Sequence, residues 1–333
     1  VMLGIGYSCS IGGISTLVGT PPNLAFARIS QISFPESPVV SFGEWLTMAL
    51  PASSVLLVIA WILITKVFFK VPEHITVDES VIHNQKSQLG PISYEEKAVL
   101  TVFSLTVLLW IFRAPINLGF ATIPGWSGLL PFPELIDDGT IAITMATLFF
   151  LIPRRSSDGT TEFLADGQLI PKLPWNIVLL YGGGFALAHG FVVSGLASLL
   201  GSKLTMFAGL TPLLLIALIC FSMTFLTEVT SNTATTEMIL PILAAVAVAT
   251  GLHPFMLMIP ATISASCAFM MPVATPPNAI IFGSNRVLIF DMAKIGIWLN
   301  LVGILIVAMT FYFIGQAVFN IDPTIMPGWA RFQ

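Results

Sequence analysis

Charge is what this sequence has least of. Only 9% of its 333 residues are Asp, Glu, Lys or Arg, against about 25% in an ordinary soluble domain. A chain this poor in ionic groups cannot dress a water-facing surface with them. Its 56% hydrophobic content and mean hydropathy of +0.92 place it in lipid. A net charge of −4 with no Lys/Arg cluster excludes nucleic-acid binding. The three cysteines, Cys9, Cys220 and Cys267, lie singly in apolar runs without any CxxC, and carry no redox information. HExxH, GxSxG and P-loop patterns are missing, so an enzymatic reading has no residues to stand on. The ten-residue alternating segments of a β-barrel are missing too, which leaves an all-α polytopic membrane protein, multi-pass in the cell (inner or plasma) membrane.

What is present is a series of apolar runs, near 1–29, 44–69, 96–112, 139–152, 174–200, 212–250, 254–283 and 290–319. Run 139–152 is short for a complete crossing, and 212–250 is far too long for one. The polar string Thr227-Glu228-Val229-Thr230-Ser231-Asn232-Thr233 interrupts the latter at its middle. It reads as the tip of a re-entrant helical hairpin, because non-helical backbone at that depth is tolerated only beside protein or a water-filled cavity. With 212–250 as such a hairpin, Lys66, Lys70, Lys86, Lys97, Arg154, Arg155, Lys172, Arg286 and Lys294 fall on one side. Arg28, Arg113, Lys203 and Arg331 fall on the other, which puts the first set in the cytoplasm.

An internal repeat gives the chain its plan. Val18-Gly19-Thr20-Pro21-Pro22-Asn23 returns 255 residues later as Val273-Ala274-Thr275-Pro276-Pro277-Asn278. Segments 1–29 and 254–283 cross in opposite directions under the hairpin topology, the inverted-repeat signature of a secondary transporter built from paired broken helices. Pro276 and Pro277 lack the N–H groups that would bond the carbonyls of Pro272 and Val273, and each proline pushes the residue before it out of the α region. The helix is therefore expected to break at Ala274-Thr275 and, by the same reasoning, at Gly19-Thr20. Freed carbonyls in lipid each cost several kcal/mol unless something binds them, and a small hard cation such as Na+ suits oxygen ligands.

The hairpin tip carries complementary chemistry. Carbonyls ending the first half-helix suit a cation, and free N–H groups opening the second suit an anion; Ser231-Asn232-Thr233 also suits a simple helix cap. The run from Asn232 to Thr250 and that from Phe255 back to Thr275 give arms of roughly 27 and 30 Å, so tip and break return to similar depth. Two carboxylates lie in apolar surroundings. Glu228 either holds the loop or adds negative charge near a cation; Glu237 faces either a polar cavity or a scaffold partner. His189 and Gly182-Gly183-Gly184 read as helix-packing features.

The strings TEVTSNTATTEMILPI (227–242), SASCAFMMPVATPPNAIIFG (264–283) and PWNIVLLYGGGFALAHG (174–190) resemble the divalent anion:sodium symporter family, the sodium-coupled dicarboxylate and citrate transporters. The resemblance implies one Na+ site from Thr227, Ser231, Asn232 and the backbone at Ala274, with Asn232, Thr233, Thr275 and Pro276 facing a substrate carboxylate. Gly19, Thr20, Pro21 and Asn23 match the first broken helix, implying that they line the other Na+ site, through Gly19, and the substrate's other end. It further implies a homodimer working by an elevator motion, importing succinate, malate, fumarate or citrate with Na+. On that plan 1–70 and 206–320 form the transport domain, 71–95 a cytoplasmic connecting arm, 96–205 scaffold (with a second connecting arm inside 153–173) and 321–333 a tail. The alternatives are a Na+-coupled sulfate carrier and a non-transporting membrane sensor. A single Ser-Asn-Thr is present, and the repeat offset carries its partner about 23 residues before Val1. The expectation is a chain that is the C-terminal portion of a larger protein.

Overall fold

The computed structural model describes residues 1–69, 79–117, 121–155, 161–203, 209–323 and 325–330. Lys70, residues 71–78 of the first arm and 156–160 of the second lie outside these. So do residues 206–208, Thr324 and the end of the tail with Arg331. In chain order the helices are α1 (Met2–Ile14), α2 (Pro21–Ser33), α3 (Phe42–Ile62, continuing as a π-helix over Leu63–Phe68), α4 (Glu79–Leu89), α5 (Tyr94–Ile111), α6 (Asp138–Leu148), α7 (Trp175–Val193), α8 (Leu196–Lys203), α9 (Pro212–Thr227), α10 (Asn232–Thr250), α11 (Phe255–Ala265), α12 (Pro276–Gly283) and α13 (Ile289–Thr310). Among the described residues, the strands are two short antiparallel pairs, Ile116–Asn117 with Thr122–Ile123 and Pro153–Arg155 with Thr161–Phe163. Among the described residues four helices are long and apolar enough to cross a membrane: Phe42–Phe68, Trp175–Val193, Asn232–Thr250 and Ile289–Val318. The all-α, multi-pass architecture expected from composition is therefore the one found.

The chain forms two compact units. One holds residues 71–115 and 124–175. Its core is Val102, Ile141 and Met145, where α5 meets α6. One end is closed by the ion pair of Arg113 Nε with Asp138, 2.6 Å, while Arg113 Nη1 donates to the Ile136 carbonyl, 3.1 Å. The other unit holds 1–70, 116–123 and 176–333. It contains both Thr-Pro-Pro-Asn motifs, the Ser-Asn-Thr string and also α7 and α8, with α8 packed along α10.

The larger unit is built around the expected breaks. α9 and α10 form a helix–turn–helix whose turn is the polar string, with Ser231 as the N-cap of α10. α1 and α2 are separated at 15–20, and α11 and α12 at 266–275. The halves exchange neighbours, α1 packing on α12 and α2 on α11. The second break is longer than the expected stop at Ala274-Thr275. The N–H groups of Phe269, Met270 and Met271 are taken by side chains from other elements, Asn300 Oδ1 for the first and the Glu228 carboxylate for the other two. Side-chain acceptors thus replace the helical ladder for these three residues. The helical arm from Phe255 is only 11 residues, about 17 Å.

At one end of this unit Trp329 closes an aromatic cluster. Its ring centroid lies 5.4 Å from Phe34, 5.2 Å from His253 and 5.3 Å from Phe255. His253 sits in the loop between α10 and α11, 7% exposed, with Nδ1 accepting the Phe255 N–H at 3.2 Å. Burial pushes its pKa down from 6.5 to about 4. A histidine depressed in the folded state takes its proton first in the unfolded chain, so stability is intact above pH 6.5 and is lost as pH falls from there toward 4. Thermal unfolding in detergent should show Tm falling across that window, with the fall reduced in His253→Asn, whose amide oxygen keeps an acceptor for the loop. Equal slopes in both proteins would contradict this.

Candidate functional site

Three helices of the larger unit begin at one place, each for a reason written in its sequence. Thr20 and Thr275 have extended backbones (φ −145°, ψ 142° and φ −136°, ψ 150°) and are followed by two prolines, which start a helix readily because the first N–H groups have no intrahelical acceptor. Ser231 accepts the Ala234 N–H at 3.5 Å and opens α10. These three N-caps line one cavity of about 520 Å³. Around it stand Gly19, Thr20 and Pro21 from the first motif, Ala274, Thr275 and Pro276 from the second, and Ser231, Asn232 and Thr233 from the hairpin turn.

Cys9, Ser10, Gly13 and Ser266, none of them in a Thr-Pro-Pro-Asn or Ser-Asn-Thr motif, also line it. The signal for Ser266 was a hydroxyl inside an apolar arm; its Oγ shares a hydrogen bond of 3.0 Å with Thr20 Oγ1 and so joins the two broken helices. Gly13 and Gly19 meet backbone to backbone: a Cβ on Gly13 would stand 2.8 Å from the Gly19 carbonyl oxygen, and one on Gly19 would overlap the Gly13 carbonyl. Two expected residues stand outside the lining. Asn23 is fully buried with Nδ2 donating to the Thr16 carbonyl, 2.8 Å, and Thr227 is fully buried with its hydroxyl donating to the Met223 and Thr224 carbonyls, 2.8 and 3.1 Å.

Among the described residues, the cavity wall contains no Lys, Arg, Asp, Glu or His. Its charge preference must come from dipoles. Each helix N-terminus presents about half a positive charge. α10 also offers the N–H groups of Asn232 and Thr233 at its first turn, whereas α2 and α12 open with prolines and offer hydroxyls. Such a set suits an anion approaching α10 through backbone N–H groups. Cation-seeking oxygens lie beside it: Asn232 Oδ1 and Ser10 Oγ are buried with no hydrogen-bond partner among the described residues. These neutral oxygens fit a hard monovalent cation such as Na+.

Behind the cavity, Glu228 fixes the second break. It is 4% exposed, and its carboxylate accepts the N–H of Met270 and of Met271 at 2.9 Å each and the Nδ2 of Asn300 at 2.6 Å. Gly296, one turn before Asn300 on α13, lets the helix touch the backbone at Phe269. Glu228 thus holds the loop, one of its two expected roles. Glu237, 2% exposed, lies against Gly184 of α7, where any Cβ would collide with its carboxylate. Of the three consecutive glycines only Gly184 is required by packing, since a Cβ on Gly182 or Gly183 meets nothing. His189 is exposed. Three residues before Gly184 on the same helix, the Tyr181 hydroxyl donates to the Pro21 carbonyl at 3.1 Å.

An all-α multi-pass membrane protein, with two helices broken at matching Thr-Pro-Pro-Asn motifs and a neutral cavity ringed by helix starts, is the class that fold and site define. Residues 1–321 match the family described as the sodium:sulfate symporter transmembrane region. The chain belongs to that family. It is 41% identical over 325 residues to the sodium-dependent dicarboxylate transporter SdcS of Staphylococcus saprophyticus subsp. saprophyticus, covering 97% of this chain and 60% of that protein. The SdcS proteins of Staphylococcus aureus strains MRSA252 and NCTC 8325 are 41% and 40% identical over 323 residues, with the same coverage. The chain thus spans 60% of the length of these curated relatives. Family and relatives are transporters, not enzymes.

Two substitutions test the packing behind the site. Glu228→Gln puts an amide N–H2 against backbone N–H groups, leaving buried donors unpaired at about 1–3 kcal/mol; a lower Tm in detergent is expected, and an unchanged Tm would contradict the clamp. Gly184→Ala should destabilise by about 1–3 kcal/mol through overpacking. Adding Glu237→Ala should recover most of that loss, whereas additive losses in the double variant would show that the two residues do not meet.

Proposed function

We propose that the protein of which this chain is part is a secondary transporter carrying a di- or tricarboxylate, succinate, malate, fumarate or citrate, in symport with Na+. The observation that carries this reading is the convergence of three helix N-termini and two helix breaks on one neutral cavity of about 520 Å³. That volume falls within the range of small organic-ligand sites. Helix starts from both repeats bordering it suit a ligand with an anionic group at each end. The relatives named as sodium-dependent dicarboxylate transporters support the same substrate class.

The roles follow from the chemistry of each group. Asn232 and Thr233 receive one carboxylate through N–H groups and side chains at the start of α10, with Thr275 and Pro276 beside them. Gly19, Thr20 and Pro21 face the other end. One Na+ is held by Ser231, Asn232, the backbone of Thr227 and that of Ala274, and another by oxygens around Gly19. Because Asn232 serves both ion and anion, and because bound Na+ offsets the repulsion a dianion meets from nearby carbonyls, each ligand raises the affinity of the other. The two Thr-Pro-Pro-Asn segments are an inverted repeat, and access alternates as the hairpin and broken helices move as an elevator against a scaffold in a homodimer.

The family's description favours one other substrate, sulfate. Sulfate has a single anionic centre, so it leaves one end of the cavity unengaged. Proteoliposomes containing the full-length protein should take up labelled succinate only with Na+ outside, and Asn232→Ala should cut uptake at least about tenfold, the loss of a charge-assisted bond or more. Uptake unchanged in choline, or stronger competition by sulfate than by malate, would overturn the reading.

A further inference from the structure

The two Thr-Pro-Pro-Asn motifs end in asparagines that the cavity does not contain. Asn23 and Asn278 are both fully buried. Asn23 Nδ2 donates back to the carbonyls of Thr16, 2.8 Å, and Ile14, 3.5 Å. Asn278 Nδ2 donates to those of Met271 and Ala268, both 3.1 Å. The 255-residue offset that carries Asn23 onto Asn278 also carries Thr16 onto Met271, so one hydrogen bond is built twice. Each asparagine also has its Oδ1 buried without a hydrogen-bond partner among the described residues.

The surroundings share little else. The first break spans 15–20 and the second 266–275, and among the described residues only the second is held by a carboxylate. A common cause lies in the motif itself. Prolines at the first two helical positions supply no N–H to the unwound segment before them. The third helical residue carries the nearest side chain able to reach back, and asparagine has both a donor for a loop carbonyl and a spare oxygen dipole. A buried acceptor left unpaired costs about 1–3 kcal/mol, and the same dipole favours a cation in the segment it faces.

We infer that Asn23 and Asn278 are paired positioning residues, one for each cation site: each amide holds a carbonyl of its own unwound segment in place, and each Oδ1 dipole favours the cation bound there. This rests on the Na+-coupled reading above. It adds residues behind the cavity that act through the loops and do not touch the carboxylate. The expected consequence is selective, with ion affinity disturbed and substrate affinity spared once the ion is bound.

Asn23→Leu and Asn278→Leu keep the branch at Cγ and remove both donor and Oδ1. In proteoliposomes of the full-length protein, each should raise the Na+ concentration for half-maximal succinate uptake about tenfold, as expected for loss of one or two hydrogen bonds, while KM for succinate at saturating Na+ stays within about twofold. Half-maximal Na+ within twofold of the parent, or a KM that rises equally at saturating Na+, overturns the inference. If neither variant reaches the membrane, hydrogen–deuterium exchange on the parent reads the same point. Na+ alone should slow exchange in both 15–20 and 266–275, and no slowing in either overturns it. A parent that takes up succinate without Na+ refutes the functional reading; a Na+-dependent parent with unmoved variants refutes only the asparagine roles.

Discussion

Four missing N–H groups set the terms for this molecule. Pro21, Pro22, Pro276 and Pro277 leave unpaired carbonyls inside segments that otherwise cross an apolar medium, where each orphan costs several kcal/mol. The groups around the cavity answer both the freed carbonyls and the N–H groups that the breaks take out of the helical ladder. Asn23 and Asn278 reach back to the unwound carbonyls. Glu228 and Asn300 bind the N–H groups that the second break exposes. The glycines at 13, 19 and 296 let backbones approach where a Cβ would block them. Asn232 and Ser10, whose Oδ1 and Oγ are buried with no hydrogen-bond partner among the described residues, belong to the lining of a ligand-sized space.

Under the proposed function, this arrangement accounts for an anion site in a chain so poor in charge. An arginine in the cavity would bind a carboxylate strongly in every state and would carry a large desolvation penalty in lipid. Helix starts supply a weaker, fixed positive potential, and the adjacent carbonyls repel an anion until a cation joins it. On the proposed reading ion and anion are then mutually required, which is the thermodynamic content of symport. Buried carboxylate is kept away from the cavity wall. Glu228 is consumed by three donors behind it, and Glu237 lies in the seam between α10 and α7.

The parts of this that could be read from sequence are those governed by local chemistry. Proline's missing N–H acts on residues three and four positions away, so both breaks and both helix starts were legible, as was the polar turn dividing α9 from α10. The length of the second break was not. It depends on Glu228 and Asn300, 72 residues apart in the chain and joined only in the fold. Asn23 was grouped with the cavity by its motif, yet the donated bond to Thr16 turns it behind the loop. Gly182-Gly183-Gly184 announced close packing without saying which glycine was needed; the answer came from the carboxylate of Glu237 on another helix. Ser266 carries no motif, only a hydroxyl inside an apolar arm, and its place is shown by the cavity it lines and its hydrogen bond to Thr20.

The most direct measurement is equilibrium binding of succinate to the full-length protein, by calorimetry, over a series of Na+ concentrations at constant ionic strength. A cavity in which ion and dianion depend on each other predicts that succinate Kd falls about tenfold or more for each tenfold rise in Na+ below saturation, and that succinate tightens Na+ binding by the same factor. A succinate Kd independent of Na+ would contradict it.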